Sequence, residues 1–216
     1  IESWPLMISS IAINIYMRMA QVMLRELYGN VENGFYAAAL RLTEIWYVIP
    51  TLIGSIIFPA LINARPNPQL YEQRLLRLNA FMFWLSFSIA CVIAPLSRYL
   101  IVNLYNEDFL PAASILTIQI WSSIFSFMGV SGTFWLMAEN LQYVSLIRTL
   151  VGLVVNITLN FLLIPKFGGI GAAFSMLITQ LFATTLSLLF LKKTRPLLLI
   201  QFRSIFYPFK LLMKLP

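Results

Sequence analysis

The sequence predicts an all-α membrane protein, a bundle of six transmembrane helices. Three observations carry that prediction. The 216-residue chain is 60% hydrophobic and only 11% charged, whereas soluble domains run near half apolar and about a quarter charged. Its mean hydropathy is +0.83. Its apolar residues run continuously rather than alternating, which argues against a transmembrane β-barrel.

A span needs ~20 apolar residues, and six stretches qualify: 4–24, 35–61, 78–102, 112–137, 141–164 and 168–191. Turn residues punctuate them. Gly29-Asn30 and Glu32-Asn33-Gly34 follow the first, and Pro66-Asn67-Pro68 the second. Asn106-Glu107-Asp108, Glu139-Asn140 and Pro165-Lys166 separate the rest. The second stretch carries Pro50 and Pro59, which predict a kink or an early end. Gly168, Gly169 and Gly171 open the last, where small residues allow close helix contact.

Basic residues orient the bundle. Arg65, Arg74 and Arg77 cluster in the second connection, and Lys192, Lys193 and Arg195 follow the last span. Glu26, Glu32, Glu107 and Asp108 make the first and third connections acidic. The positive-inside rule then sets both ends of the segment in the cytoplasm. Lys166 alone breaks the pattern. The net charge of +7 is thus a matter of orientation and calls for no nucleic-acid partner. Residues 192–216 form a basic tail with alternating apolar residues (Phe202, Ile205, Phe206, Phe209 and Leu212 among Arg203, Lys210 and Lys214), broken near Pro208. The pattern leaves two readings open, an amphipathic helix in the inner interface or a solvated cytoplasmic tail. A first residue that is Ile and not Met, with no signal peptide before the first span, predicts the C-terminal piece of a longer protein.

Charges inside the spans are costly and mark pathways or partners. Helical side chains tilt toward their own N-terminus, so depth and direction decide which cations reach the headgroups. Arg148, ~10 Å into the fifth span, tilts back toward the near surface and is expected to snorkel. Arg41 is ambiguous. Arg18 tilts deeper, away from its near surface, and needs a partner within the protein. Glu44, near the bilayer midplane, offers one, so Arg18, Glu44 and Arg41 are expected to form one buried polar cluster. Polar stripes extend the picture: Asn14, Arg18, Gln21 and Arg25 on the first span, Gln119, Ser122, Ser126 and Thr133 on the fourth. Ser145, Arg148, Gly152, Asn156 and Asn160 share a face of the fifth. Such residues also pack helices together, and for Asn156 and Asn160 the packing and cavity roles weigh equally.

Several function classes drop out. The chain has no histidine and one cysteine, Cys91, which removes the commonest general base and metal ligand and any internal disulfide. No nucleotide loop, metal-ligand spacing or nucleophile–base pattern occurs, so no enzyme is expected.

Three segments carry a resemblance. They are SWPLMISSIAINIYMRMAQVMLRELYGNVENGFYAAALRLTEIWYVIP from Ser3 to Pro50, NEDFLPAASILTIQIW from Asn106 to Trp121, and NFLLIPKFGGIGAAFS from Asn160 to Ser175. In order and spacing the chain resembles the polysaccharide flippases of the MOP exporter superfamily, the Wzx-type O-antigen and capsule flippases. The resemblance implies one lobe of a two-lobe transporter, here the C-terminal half, with an N-terminal six-helix lobe as its partner across a central cavity. It implies flipping of undecaprenyl-diphosphate-linked oligosaccharide across the inner membrane by alternating access, with no cofactor beyond a coupling proton or sodium ion. The diphosphate gives cavity arginines a role, and Arg18 lies where relatives are often basic. Where relatives often carry Asp next to the glutamine, this chain has Ala20 before Gln21. That Asp's role does not carry over, so Glu44 is the candidate for proton coupling. The cavity set is therefore Asn14, Arg18, Gln21, Arg41, Asn156 and Asn160. Three competing readings remain. A drug exporter of the same superfamily would want acids for cationic substrates. A membrane-embedded glycan polymerase or ligase would want larger outer loops. A non-transporting membrane subunit would leave the buried charges without a pathway.

Overall fold

The computed structural model describes residues 4–190 and 192–207. The helices are α1 (Trp4–Glu44), α2 (Val48–Ala64), α3 (Pro68–Tyr105), α4 (Pro111–Gln119), α5 (Ser122–Ala138), α6 (Gln142–Thr184) and α7 (Arg195–Ile205). A 3-10 turn, Ile45–Tyr47, joins α1 to α2. It falls just before Pro50, whose missing N–H takes a bond from the preceding turn. The kink expected of the second span lies there, and the helix then runs through Pro59 without ending.

Four helical stretches are long and apolar enough to cross a membrane. Two of them are folded in half. The first, Met7–Ala64, has 58 residues and as a straight rod would measure ~90 Å, about three times the hydrocarbon thickness. It bends at Gly29 (φ 83°, ψ −173°). Tyr16 and Tyr47, one on each side of the bend, line the same cavity. The second bends at Gly168 (φ 53°, ψ −133°). There Asn156 Nδ2 donates to Thr179 Oγ1 (3.2 Å), and a Cβ on Gly152 would sit 2.8 Å from Ala183 Cβ. Both pairs are centred on residues 167–168, so the two limbs run antiparallel. The described residues thus form six apolar legs.

Both bends need glycine, because positive φ strains other L-residues. They also need each other. Pro165 O and Gly169 N–H flank the second bend, where helix ends leave backbone groups without intrahelical partners. The Tyr28 hydroxyl donates to Pro165 O (3.0 Å), and Gly169 N donates to Glu32 Oε1 (2.8 Å). Glu32 thereby also places a carboxylate at the N-terminus of the last leg, where the helix dipole favours it. Elsewhere the turn residues act locally. Asn67 Oδ1 accepts from Leu70 N (3.2 Å) with Pro68 in the first turn of α3. Asn140 takes positive φ at the end of α5.

One apolar core joins α1, α3, α4 and α6 near the bends, with Leu24, Tyr36, Leu40, Ile101, Leu116 and Ile164 at its centre. A second joins α2, α3, α5 and α7 at the other end through Leu61, Leu75, Trp135 and Leu197. The start of the basic tail therefore belongs to the bundle and does not hang in solvent. Leu197, Leu198 and Ile200 of α7 are buried. Arg203 pairs with Glu72 (3.0 Å), and Arg77 Nε donates to the Tyr207 hydroxyl (3.3 Å). Phe209, Lys210, Leu212 and Lys214 lie outside the described residues.

Removing the Glu32 carboxylate should loosen both bends. Glu32→Ala is expected to cost about 1.5–3 kcal/mol, the range for a hydrogen bond to a charged group, and Glu32→Gln distinctly less, since it keeps an acceptor. Thermal unfolding in detergent micelles reads this, and equal midpoints for wild type and Glu32→Ala would contradict the bend-to-bend clasp.

Candidate functional site

The intramembrane arginines are arranged differently from the expectation. Arg148 does not snorkel. It is 7% exposed and points into the bundle from the first leg of α6. Its Nη2 donates to Thr133 Oγ1 (2.7 Å) and Gly129 O (3.3 Å) on α5. Its Nη1 has no hydrogen-bond partner. Depth and tilt measure whether a side chain can reach the headgroups, whereas the helix face decides whether it turns that way. Arg148 shares its face with Ser145, Thr149, Gly152 and Asn156, all buried. The stripe of small and polar residues was the signal for an inward face.

Arg18 is exposed on the surface of the lobe, and its Nη1 donates to Gln21 Oε1 (3.2 Å), one turn along the same leg. The expected cluster with Glu44 and Arg41 does not form. Arg41 is exposed and Glu44 half-buried. The two ion pairs among the described residues, Arg65–Glu139 (3.5 Å) and Arg203–Glu72 (3.0 Å), involve none of the three. The electrostatic neighbours of Glu44 are Tyr36 and Tyr47. Asn14 is exposed, its Nδ2 donating to Ser10 O (2.8 Å). Asn14, Arg18, Gln21 and Arg25 thus form one polar strip on the first leg. Beside it runs an exposed apolar strip of Ile11, Ile15 and Val22. The apolar strip suits lipid, but the polar strip does not.

Asn156 and Asn160 lie elsewhere, 2% and 0% exposed. Asn160 Nδ2 donates to Asn156 Oδ1 (2.8 Å), and Asn156 reaches Thr179 on the last leg. They tie the two limbs of α6 together, the packing alternative of the two left open by the sequence, and neither lines the cavity beside Arg148.

That cavity, of about 190 Å³, lies among α1, α2, α5 and α6. Tyr16, Tyr47, Thr51, Ser126 and Gln180 line it together with Arg148, and no acidic residue does. The sequence reading missed Tyr16, Tyr47 and Gln180, which carry no charge and look like ordinary span residues. Gly129 and Gly132 open space for the site. A Cβ on Gly132 would stand 3.2 Å from Arg148 Nη1, and one on Gly129 would stand 2.6 Å from Thr184 Cγ2. No group of acids, cysteines or histidines among the described residues could hold a metal ion.

Comparison with known proteins places this lobe. A family model described as "Polysaccharide biosynthesis protein" matches residues 3–114, just over half of the chain. The chain belongs to the polysaccharide biosynthesis protein family. Within solved structures, this family member matches one described as "Lipid II flippase MurJ, inward closed conformation" with a TM-score of 0.72 and 18% identity. The match covers 99% of this chain and 47% of that one, so the chain spans about half the length of MurJ. At that identity the likeness is one of fold. A search of curated proteins finds no match. The resemblance to MOP-type polysaccharide flippases is met in family and in fold.

Thr133 is the side-chain anchor of the buried guanidinium. Thr133→Val keeps the shape and removes the acceptor, and is expected to cost about 1.5–3 kcal/mol. Denaturant unfolding in micelles measures it, and an unchanged midpoint would show that Arg148 does not depend on that bond.

Proposed function

We propose that this lobe forms half the wall of a flippase that moves undecaprenyl-diphosphate-linked oligosaccharide across the inner membrane by alternating access. One observation carries the reading. The hairpin of α1 presents a polar strip of exposed Asn14, Arg18 and Arg25 with half-buried Gln21, and Arg41 is exposed on the facing limb. Three arginines without a carboxylate partner among the described residues lie in hydrocarbon only at high cost. They fit an aqueous cavity shared with a second, N-terminal lobe, in which arginines meet the diphosphate of the lipid-linked sugar. The family description and the MurJ-like fold support it.

The distribution of charge supports the orientation. The end of the bundle built from residues 64–77, 139–141 and 192–207 carries Arg65, Arg74, Arg77, Lys192, Lys193, Arg195 and Arg203 against Glu72 and Glu139. The end with the two bends carries Glu26, Glu32, Glu107 and Asp108 against Arg25, Arg98 and Lys166. The basic end is cytoplasmic in this reading, so both ends of the segment face inward. Glu44, half-buried and without an ion pair among the described residues, is the candidate for proton coupling. A cationic-drug exporter fits less well, since the interior cavity holds an arginine and no acid.

Arg18→Ala in the complete protein is expected to lower surface polysaccharide at least tenfold, with membrane expression unchanged. Complementation of a flippase-null strain, read by surface glycan staining, tests it. Full surface glycan with Arg18→Ala would refute the assignment of Arg18 to the pathway.

A further inference from the structure

The basic end of the bundle holds two acids among the described residues, Glu72 of α3 and Glu139 just after α5. Positive charge surrounds them, with Arg65, Arg74, Arg77, Lys192, Lys193 and Arg195 at the same end. Yet both acids line one cleft, together with Arg203 of α7. Two carboxylates against one guanidinium leave the lining acidic within a basic surface.

The cleft lies between α3, α5 and α7 and measures about 360 Å³, within the ~300–1,000 Å³ common for small-molecule sites. Its floor is apolar, with Leu75, Trp135 and Ile200 buried there. Its polar edge has spare capacity. Glu72 Oε1 accepts from Arg203 Nη1 (3.0 Å), and Glu72 Oε2 has no partner among the described residues. Glu139 Oε1 accepts from the Tyr71 hydroxyl (2.7 Å). Glu139 Oε2 stands 3.5 Å from Arg65 Nη2, beyond the ~2.7–2.9 Å of a charge-assisted hydrogen bond. An ionised carboxylate has about four acceptor positions and a guanidinium about five N–H donors. Both acids can therefore take further N–H donors, and Arg203 can give further hydrogen bonds.

An apolar strip leads out of the cleft. Leu199 lines it, and Phe202 and Phe206 follow Leu199 on one face of α7 at helical spacing. All three are more than half exposed. Mixed charge at the head and an apolar strip at the exit suit an amphiphile. The surrounding arginines and lysines repel a simple cation, and the two carboxylates repel a simple anion. A headgroup with a primary ammonium next to a phosphate satisfies both.

We propose that this cleft binds a phospholipid of the phosphatidylethanolamine class. The ammonium donates to Glu72 and Glu139, the phosphate accepts from Arg203, and the acyl chains lie along Leu199, Phe202 and Phe206. The site is separate from the polar strip of α1 and from the cavity beside Arg148. It needs only that this end of the lobe meet a membrane surface, so it stands or falls independently of the transport reading.

The test is the thermal midpoint of the purified full-length protein in neutral detergent micelles. Dioleoyl phosphatidylethanolamine, phosphatidylcholine and phosphatidylglycerol are titrated in separately. Phosphatidylethanolamine should give a saturable rise with an apparent affinity at least tenfold above that of phosphatidylcholine, whose quaternary ammonium has no N–H to donate. Glu72→Gln and Glu139→Gln should each weaken that response at least tenfold. Glu72 is exposed, so its variant is expected to fold, and Glu139→Gln keeps an acceptor for Tyr71. Loss of the response in either variant supports the site. Equal rises with phosphatidylethanolamine and phosphatidylcholine, a rise with phosphatidylglycerol alone, no rise with any lipid, or the same phosphatidylethanolamine response in wild type and both variants would overturn it.

Discussion

A helix that reverses direction leaves backbone groups without intrahelical partners, and side chains that close them fix the bend. This constraint organises the lobe. The bend at Gly168 leaves a carbonyl and an N–H group open, and residues flanking the bend at Gly29 close both, Tyr28 on Pro165 and Glu32 on Gly169. The two hairpins are thereby fixed to each other at one end, where their limbs pack around Leu24, Tyr36, Leu40 and Ile164. The position of Arg148 between α5 and α1 follows from that alignment. At the opposite end α7 performs a similar closing role with apolar contacts, and Arg203 ties it to Glu72 on α3.

Polar groups in this lobe fall into three environments. Asn156, Asn160 and Thr179 spend their bonds on one another and hold a hairpin shut. Arg148 is half satisfied, bonded to α5 on one nitrogen and open on the other. Asn14, Arg18 and Arg41 are exposed. Only the last group is the surface on which the proposed function rests.

Much of the fold was legible in the sequence because hydrophobic length and turn chemistry are local. Gly29, Asn67, Asn106, Asn140 and Gly168 each stand at or beside a reversal. The bend-to-bend clasp was not legible, since Glu32 and Gly169 lie 137 residues apart and the sequence alone offers nothing to pair them. The packing of the tail was illegible for a related reason. Its alternation left an interfacial helix and a solvated tail open, and in the structure Leu197 and Ile200 pack into the bundle while Leu199, Phe202 and Phe206 stay exposed. For the arginines, depth was readable and azimuth was overlooked. Arg148 sat in a stripe with Ser145, Gly152 and Asn156, the signature of an inward face. Arg18 sat beside Ile15 and Val22, both exposed, on a leg with much of its circumference uncovered.

In the proposed flippase the polar strip of α1 faces water and not lipid. Thiol labelling of the full-length protein in membranes tests this most directly. With Cys91 replaced by Ser, Arg18→Cys and Arg41→Cys should react with a water-soluble maleimide, while Asn160→Cys, buried in the α6 hairpin, should stay protected. Protection of residue 18 and residue 41, with labelling of residue 160, would contradict the account.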